Sequence, residues 1–257
     1  MLSFVKALTE KHKAKAEYWD KLKEVLADEK IDEREDKELQ KLAQELGLDD
    51  KELRELHKKA ASLEWASITA DHIITDDEKK SLEELLKYFD LRTTDFDFDQ
   101  KTFNKFYCLG MIEKGILPNI QNHDVDVIFK PSEVLHWACP AALKKYKRVV
   151  TRVGYAGPRA SIRIAKGLSY RVGSYKVSAQ SKEVLITEDT GPFWITNQRI
   201  GFTGQRKNFV INLNKILHFE LTPYGLVIAK EGRENPYLVQ LDDYEVPAAV
   251  ISHLLNS

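Results

Sequence analysis

The sequence predicts an α+β protein of two domains, an all-α helical bundle followed by a β-barrel that a C-terminal helix caps. The first observation is an internal repeat. The pattern of residues 27–48 recurs in residues 70–91, at a fixed offset of 43 residues. The second is a change in the spacing of apolar residues, from helical to alternating, after Ser132. At 257 residues the chain is long enough for two cores. We therefore expect the bundle over 1–115, a connector over 116–130 and the barrel over 131–257.

Five segments of the first half are predicted to be helices with one apolar face each. Leu39 and Leu42 in the first copy of the repeat correspond to Leu82 and Leu85 in the second, so both copies face one shared core. Gly115 predicts the end of the last helix. The predicted helices are 3–26, one repeat helix after Ile31 and one after Ile74, 50–69 and 99–114.

The acids of the repeat suggest a divalent-cation site. With Ile31 at the hydrophobic position of an EF-hand loop, Asp28 falls on the fifth ligand position and Glu35 on the twelfth. The second copy repeats this pattern, but both copies lack the turn glycine and several other ligand positions of that loop. The candidate metal ligands are Asp28, Asp32, Glu35, Asp71 and Glu78.

A capping box gives the same acids a structural role. Asp32 and Thr75 are placed as helix N-caps, and each is followed three residues later by a glutamate. In this interpretation the acids satisfy backbone N–H groups at helix starts, and no ion is required. The sequence leaves both interpretations open.

The repeated motifs ADEKIDEREDKEL and ADHIITDDEKKSL, with the leucines that follow them, resemble the TerB-like helical domain of tellurite-resistance proteins. The similarity covers about residues 10–115. The resemblance implies a compact helical bundle and a link to metal-related stress responses through acidic loop residues. Those residues are Asp28, Asp32 and Glu35 in the first copy and Asp71 and Glu78 in the second, where Thr75 replaces the middle aspartate.

From Ser132 onward, short segments rich in β-branched and aromatic residues alternate with turn signals such as EDTG, TPYG and EGRENP. Many short strands at close spacing predict a sandwich or a barrel. The last segment, DDYEVPAAVISHLLN, has its apolar residues at helical spacing, so we expect a helix across the open end of the barrel.

The order of elements in this half resembles the pleckstrin-homology superfold, in particular the bacterial PH-like and GRAM-like group. The similarity rests on TGPFWITNQRIGFTGQRKNFVINLNKILHFEL and on Gly191, Phe193, Thr196, Arg199, Ile200 and Phe202 within it. Residues 133–255 also resemble the C-terminal half of uncharacterised bacterial proteins. The resemblance implies a binding module and names no reaction.

A run of positive charge is the most functional-looking feature. Residues 140–180 contain ten basic side chains and no acid, so a surface of one sign is expected. Residues 1–99 carry a net charge of −9 and residues 100–257 one of +8, so the two halves are expected to face different partners or each other. The candidate lipid- or partner-binding residues are Lys144, Lys147, Arg148, Arg152, Arg159, Arg163, Lys166 and Arg171.

Four interpretations of this run compete. Anionic lipid headgroups agree with a PH-like fold and would be bound reversibly and peripherally. A protein partner, including the acidic half of another copy, is the second. Nucleic acid is disfavoured because the net charge is near zero and no reading motif is present. Solvated faces of ordinary strands are the fourth, as in the alternation of Arg159, Ser161 and Arg163 with apolar neighbours.

The sequence gives no support to catalysis or to a bound cofactor other than a divalent cation. The chain has neither a GxSxG motif nor a glycine-rich strand-to-helix loop. Cys108 and Cys139 stand apart without zinc spacing, which fits a reducing cytoplasm. No segment has the apolar length of a signal peptide or a membrane span.

The expected function is therefore that of a non-enzymatic, cytoplasmic adaptor or stress-response binding protein. Its barrel would bind a protein partner or an anionic membrane surface through the basic run. The alternative is a divalent metal-ion sensor that uses the acidic loops of the helical domain. The oligomeric state is left open by the sequence.

Overall fold

The computed structural model describes residues 2–28, 31–121, 125–149, 160–165, 168–172 and 182–256. The chain divides into two compact units, residues 1–107 and residues 108–257. Five helices come first, and an antiparallel sheet of seven strands with a C-terminal helix follows, so the predicted α+β class is confirmed. We call the two units the helical unit and the sheet unit.

The helices fall where the apolar spacing predicts them, within a few residues at each end. Gly115, at φ +82, follows the last turn of α5 as expected. The helices are α1 (Leu2–Val25), α2 (Glu33–Glu45), α3 (Asp50–Ile68), α4 (Asp76–Tyr88), α5 (Gln100–Glu113) and α6 (Glu245–Asn256).

The sequence repeat is also a repeat of helix ends. At the C-terminus of α2, Gly47 adopts φ +62, and the N–H of Leu48 donates to the carbonyl of Ala43. At the C-terminus of α4, 43 residues later, Asp90 adopts φ +49, and Leu91 donates to Leu86. Both ends are Schellman motifs, in which a left-handed residue lets the chain satisfy the last helix carbonyls.

The helical unit packs its apolar faces into one core. Leu22 of α1, Leu39 of α2 and Ala61 of α3 are buried with Leu85 and Phe89 from the end of α4. Both copies of the repeat contribute leucines to this core, as the shared spacing predicts.

The sheet unit is built from two meanders. The strand order is β6-β5-β4-β1-β9-β8-β7. Strands β1, β4, β5 and β6 form the first meander, β7, β8 and β9 form the second, and the pairing of β1 with β9 joins them. A separate hairpin pairs β2 with β3. The strands are β1 (Leu135–Val149), β2 (Ala160–Ala165), β3 (Leu168–Val172), β4 (Lys182–Thr196), β5 (Arg199–Thr203), β6 (Asn208–Asn212), β7 (Ile216–Thr222), β8 (Gly225–Lys230) and β9 (Tyr237–Gln240).

The seven-stranded sheet curls over on itself. Phe209 of β6 stacks on Tyr237 of β9 with ring centroids 4.0 Å apart, although three strands separate β6 from β9 in the order. Among the described strands the order nevertheless ends at β6 and β7, so the sheet is open. Its interior is apolar, with Phe193, Trp194 and Phe202 fully buried.

Helix α6 and the segment before β1 complete the sheet unit. Residues 246–251 of α6 are buried on every face, and the helix contacts β1, β4 and β2. Ahead of β1, Val125 and Phe129 pack against Trp194. The stretch 125–130, predicted as connector, thus contributes to the core of this unit.

Candidate binding surface

The acids of the first repeat lie at the start of α2 and bind its backbone. Asp32 Oδ1 accepts hydrogen bonds of 2.8 Å from the N–H groups of Arg34 and Glu35. The Glu35 carboxylate accepts the Asp32 N–H at 3.0 Å. This reciprocal pair is the predicted capping box.

The second repeat has the same arrangement at the start of α4. Thr75 Oγ1 accepts the N–H of Glu78 at 3.2 Å, and Glu78 accepts the N–H of Thr75 at 2.8 Å. Asp71 accepts the N–H of Ile73 at 3.1 Å. Four of the five predicted metal ligands therefore have backbone partners, and the capping boxes are confirmed.

The fifth candidate ligand, Asp28, has a side chain that lies outside the described residues. Among the side chains that are described, no group of three His, Cys, Asp or Glu residues is arranged to hold a metal ion. The metal site stays a prediction, and the capping boxes explain Asp32, Glu35 and Glu78, while Asp71 accepts a backbone N–H in the turn before α4.

The predicted basic residues are concentrated on a long two-stranded extension of the sheet. Strands β1 and β4 pair from Leu135 to Val149, whereas the described pairing of β9 with β1 covers only residues 142–144. Strand β5 pairs with β4 only at 193–195. We define residues 144–149 and 182–187 as the basic ribbon. It contains five basic residues and one acid.

One face of the ribbon mixes positive charge with apolar side chains. Residues that are directly opposite in an antiparallel pair share a face, and Lys145 lies opposite Ile186 while Lys147 lies opposite Val184. Ile186 and Val184 are 37% and 36% exposed, and Lys145 approaches Glu188 at 3.7 Å while its side chain remains largely exposed.

The other face repeats the mixture. Lys144 lies opposite Thr187 and donates to its hydroxyl at 2.7 Å. Next along the strand, Tyr146 lies opposite Leu185 and is 46% exposed. Arg148 follows, opposite Glu183. Since both faces carry exposed apolar groups, the ribbon is amphiphilic as well as basic.

A turn adds two further bases beside the ribbon. Residues 204–207 connect β5 to β6, and Asp189 Oδ2 accepts the N–H groups of Arg206 and Lys207 at 2.6 and 2.8 Å. These bonds lower the pKa of Asp189. Because Asp189 lies opposite Leu143, it holds the turn next to the start of the ribbon. The side chains of Arg206 and Lys207 are exposed.

Glycine is required where the turn approaches β4. A Cβ atom on Gly204 would lie 2.4 Å from Asp189 Oδ2, closer than real side chains come. The turn, which we call the basic turn, is therefore fixed by its backbone, and its two cationic side chains are left exposed to solvent.

Two more predicted bases belong to the β2–β3 hairpin. In its backbone register, Arg163 lies opposite Ser169 and Arg171 lies opposite Ser161. Strand β3 contacts β7, and β2 contacts α6, so the hairpin belongs to the sheet unit.

The remaining predicted bases cannot be placed in full. Lys147 and Arg148 are described by their backbone only. Arg152, Arg159 and Lys166 lie outside the described residues. The described part of the chain therefore brings Lys144, Lys147 and Arg148 together on one ribbon, and Arg163 with Arg171 on one hairpin.

The residues that carry the PH-like resemblance have structural roles. Phe193 and Phe202 are opposite each other and fully buried. Arg199 donates to both oxygens of Glu133 at 2.7 and 2.9 Å, and the Glu133 side chain is 0% exposed. Burial opposes ionisation of Glu133, but its hydrogen bonds with Arg199, the Lys130 N–H and Thr196 outweigh this and lower its pKa. These side chains fix the β4–β5 hairpin.

Sequence reasoning missed the two bases of the basic turn and the exposed Val184 and Ile186. The pair Arg206-Lys207 stands in the turn signal TGQRKN, but its place beside the ribbon depends on a contact with Asp189 that sequence spacing does not show. Val184 and Ile186 alternate with other residues in EVLITED, and alternation alone predicts that such a set of apolar side chains is buried, not exposed.

Comparison of the chain with protein-family models, curated proteins and solved structures gave no match. Within the described segments, each helix falls short of the length or the hydrophobicity that crossing a bilayer requires. The function is therefore argued from the surface itself.

Proposed function

We propose that the protein is a non-enzymatic adaptor whose sheet unit docks peripherally on an anionic membrane surface. The observation that carries this proposal is the amphiphilic basic ribbon, with the basic turn beside it. Each base near an anionic leaflet contributes about 1 kcal/mol before salt screening, so several of them give reversible binding. The exposed Val184 and Ile186 add apolar contacts at the boundary between headgroups and acyl chains.

The proposal includes the fold family. Two meanders followed by one C-terminal helix support a PH-like or GRAM-like module, with the curled sheet as its barrel. The duplicated, capped helices support a TerB-like bundle in the helical unit. Both modules are typical of binding proteins rather than enzymes, and a fold by itself assigns no reaction.

A membrane explains the mixture on the ribbon better than a nucleic acid does. Phosphate backbones attract cationic side chains but gain little from exposed aliphatic groups such as Val184 and Ile186. Single-strand binding without sequence preference uses several aromatic platforms, and the described ribbon has one aromatic residue, Tyr146. A bilayer boundary accommodates cationic and aliphatic groups together.

The helical unit has the opposite charge. Residues 1–99 carry a net charge of −9, so an anionic membrane repels this region while it attracts the ribbon. We propose that the helical unit instead binds a protein partner with a basic surface.

Cosedimentation of the full chain with lipid vesicles tests the proposal. One vesicle set contains about 30% phosphatidylserine in phosphatidylcholine, and the other is pure phosphatidylcholine. We expect binding to the anionic set only, weakened at least about tenfold in high salt. Equal binding to both sets, or none, would overturn the proposal. Binding to duplex DNA with higher affinity than to the anionic vesicles would replace the membrane by nucleic acid.

A further inference from the structure

The two edge strands of the seven-stranded sheet, β7 and β6, differ in their protection against pairing with another strand. Strand β7 has a register irregularity between Ile216 and His218, contacts β3, and carries the charged Glu220. Bulges, charges and covering segments are the usual ways in which natural edges are blocked. Strand β6 has the sequence NFVIN, which contains neither a charge nor a proline, and pairs with β5 without a register shift.

The alternation of hydrogen-bonded and non-hydrogen-bonded pairs between β5 and β6 shows which backbone groups of β6 face outward. Gly204 donates to Lys207 at one end of the hairpin, and Leu213 donates to Gln198 at the other. Hydrogen-bonded pairs alternate along an antiparallel ladder, so Phe209 and Ile211 bond to β5. The N–H and C=O groups of Asn208 and Val210 and the N–H of Asn212 point away from it, whereas the Asn212 carbonyl caps the 3₁₀ turn Leu213–Lys215.

The same three residues also have exposed side chains. Phe209 and Ile211 are buried in the core, whereas Val210 is 46% exposed between the exposed Asn208 and Asn212. The outward pattern Asn-Val-Asn reads the same in both directions. An edge with this symmetry is complementary to a copy of itself in antiparallel orientation.

We infer that β6 pairs with β6 of a second copy of this chain about a two-fold axis at Val210. Val210 then lies opposite its own counterpart, and Asn208 lies opposite Asn212 of the second copy. The outward groups form about four main-chain hydrogen bonds, two between the Val210 residues and one from each Asn212 N–H to the Asn208 carbonyl of the other copy. The valines contact across the axis, and Asn208, whose Oδ1 accepts the Gly204 N–H of its own chain at 2.8 Å, lies opposite Asn212 of the other copy.

The strength of this pairing is set by its size. Two strands of five residues bury much less than the roughly 1,600 Å² of a standard stable interface. The dimer is therefore weak and reversible and depends on protein concentration. The paired residues are uncharged, so salt does not weaken it, in contrast to the membrane docking proposed above.

Sedimentation velocity of the full chain over a wide concentration range tests the inference. We expect a monomer–dimer equilibrium that persists in about 0.5 M salt. Val210→Lys places two positive charges opposite each other at the axis, so the dimer dissociation constant should rise at least about tenfold. Val210→Pro removes an outward N–H that β5 does not use and should have the same effect.

Two matched variants serve as controls. Val210→Thr keeps the branched side chain and the N–H and should dimerise like the wild type. Leu217→Lys makes the same charge change on the exposed, 71% accessible residue of the β7 edge and should also leave the dimer unchanged. A wild type that stays monomeric at the highest concentration, or a Val210→Lys variant that dimerises normally, would overturn the inference.

Discussion

Charged side chains have different tasks in the two units. In the helical unit, acids accept backbone N–H groups at helix starts, as Asp32, Asp49 and Asp99 do. Asp95 accepts the N–H of Arg92 and pairs with Lys58 and Arg54, and these contacts lower its pKa to about 2. In the sheet unit, the basic ribbon presents Lys145 to solvent with only a 3.7 Å approach to Glu188.

The difference follows from what the backbone offers. Helix starts leave N–H groups unpaired, so nearby carboxylates become part of the fold. In the ribbon the inward backbone groups of the two strands bond to each other, so the bases on its faces are not needed as backbone partners. In the sheet unit, Glu133 and Arg199 form a buried ion pair. Exposed charge that the fold does not use is the better evidence of function.

The largest expected effect is on that buried pair. Arg199→Met leaves Glu133 buried without its partner and should lower the free energy of unfolding of the sheet unit by about 3 kcal/mol. Urea unfolding at neutral pH measures this. The double variant with Glu133→Leu removes both charges and should recover most of the loss. A single variant within about 0.5 kcal/mol of the wild type would contradict the structural role of this pair.

His57 is half-buried in the helical unit in its neutral form, and acid should reveal this. His57 stacks on Phe89 at 4.1 Å and lies 3.0 Å from the Tyr18 hydroxyl, and burial lowers its pKa to about 4. Between pH 6.5 and 4 only the unfolded state binds the extra proton, so stability falls as the pH falls.

After allowance for the partial exposure of His57, the free energy of unfolding should fall by on the order of 2 kcal/mol between pH 6.5 and pH 4. Denaturant unfolding at several pH values should show a shallower pH slope for His57→Gln than for the wild type over this window. Parallel slopes would mean that His57 is not the group responsible.

Removal of the two N-caps compares the copies of the repeat directly. Asp32→Ala and Thr75→Ala should each lower the free energy of unfolding by about 1 kcal/mol, because each leaves helix N–H groups unpaired. Asp77→Ala, in the first turn of α4, is the control and should cost less, since it removes only a favourable interaction with the helix dipole. Thermal unfolding measures all three. If Asp32→Ala caused no loss, Asp32 would have no capping role and would return to the metal hypothesis.

The smallest expected effect concerns an acid that stands where glycine is preferred. Asp90 has φ +49, at the position that Gly47 occupies in the first copy. Asp90→Gly should raise the free energy of unfolding by about 0.5 kcal/mol, because the left-handed conformation is strained for residues with a Cβ. Gly47→Asp should change it by a similar amount in the opposite direction. Urea unfolding measures both variants. If both substitutions changed the free energy of unfolding in the same direction, the two helix ends would not be equivalent.

Much of the helical unit was predictable, because its determinants are local. The repeat of Leu39 and Leu42 as Leu82 and Leu85 marks the helix faces, and the capping boxes mark their starts. The positive φ of Asp90 was not predicted, although its alignment with Gly47 in the repeat is visible in the sequence.

In the sheet unit, the alternating segments and the last apolar segment predicted the strands from β5 onward and helix α6, but not the length of β1. The sequence predicts short strands, whereas β1 continues through the lysines to Val149 because β4 pairs with it along this length. Long-range pairing of this kind decides strand length and has no local signal. For the same reason, the ribbon bases were expected from composition, whereas the place of Arg206 beside them was not.

The most direct measurement of the central claim is vesicle binding by a double charge reversal of the basic surface. Lys145→Glu with Arg206→Glu changes two exposed side chains that have no buried partner in the described structure. Lys37→Glu with Lys41→Glu on the exposed side of α2 changes the net charge of the chain by the same amount. On anionic vesicles, the first pair should weaken binding at least about tenfold and the second less than about twofold. Equal loss from both pairs would show that net charge, and not the ribbon, governs binding, and would contradict the account.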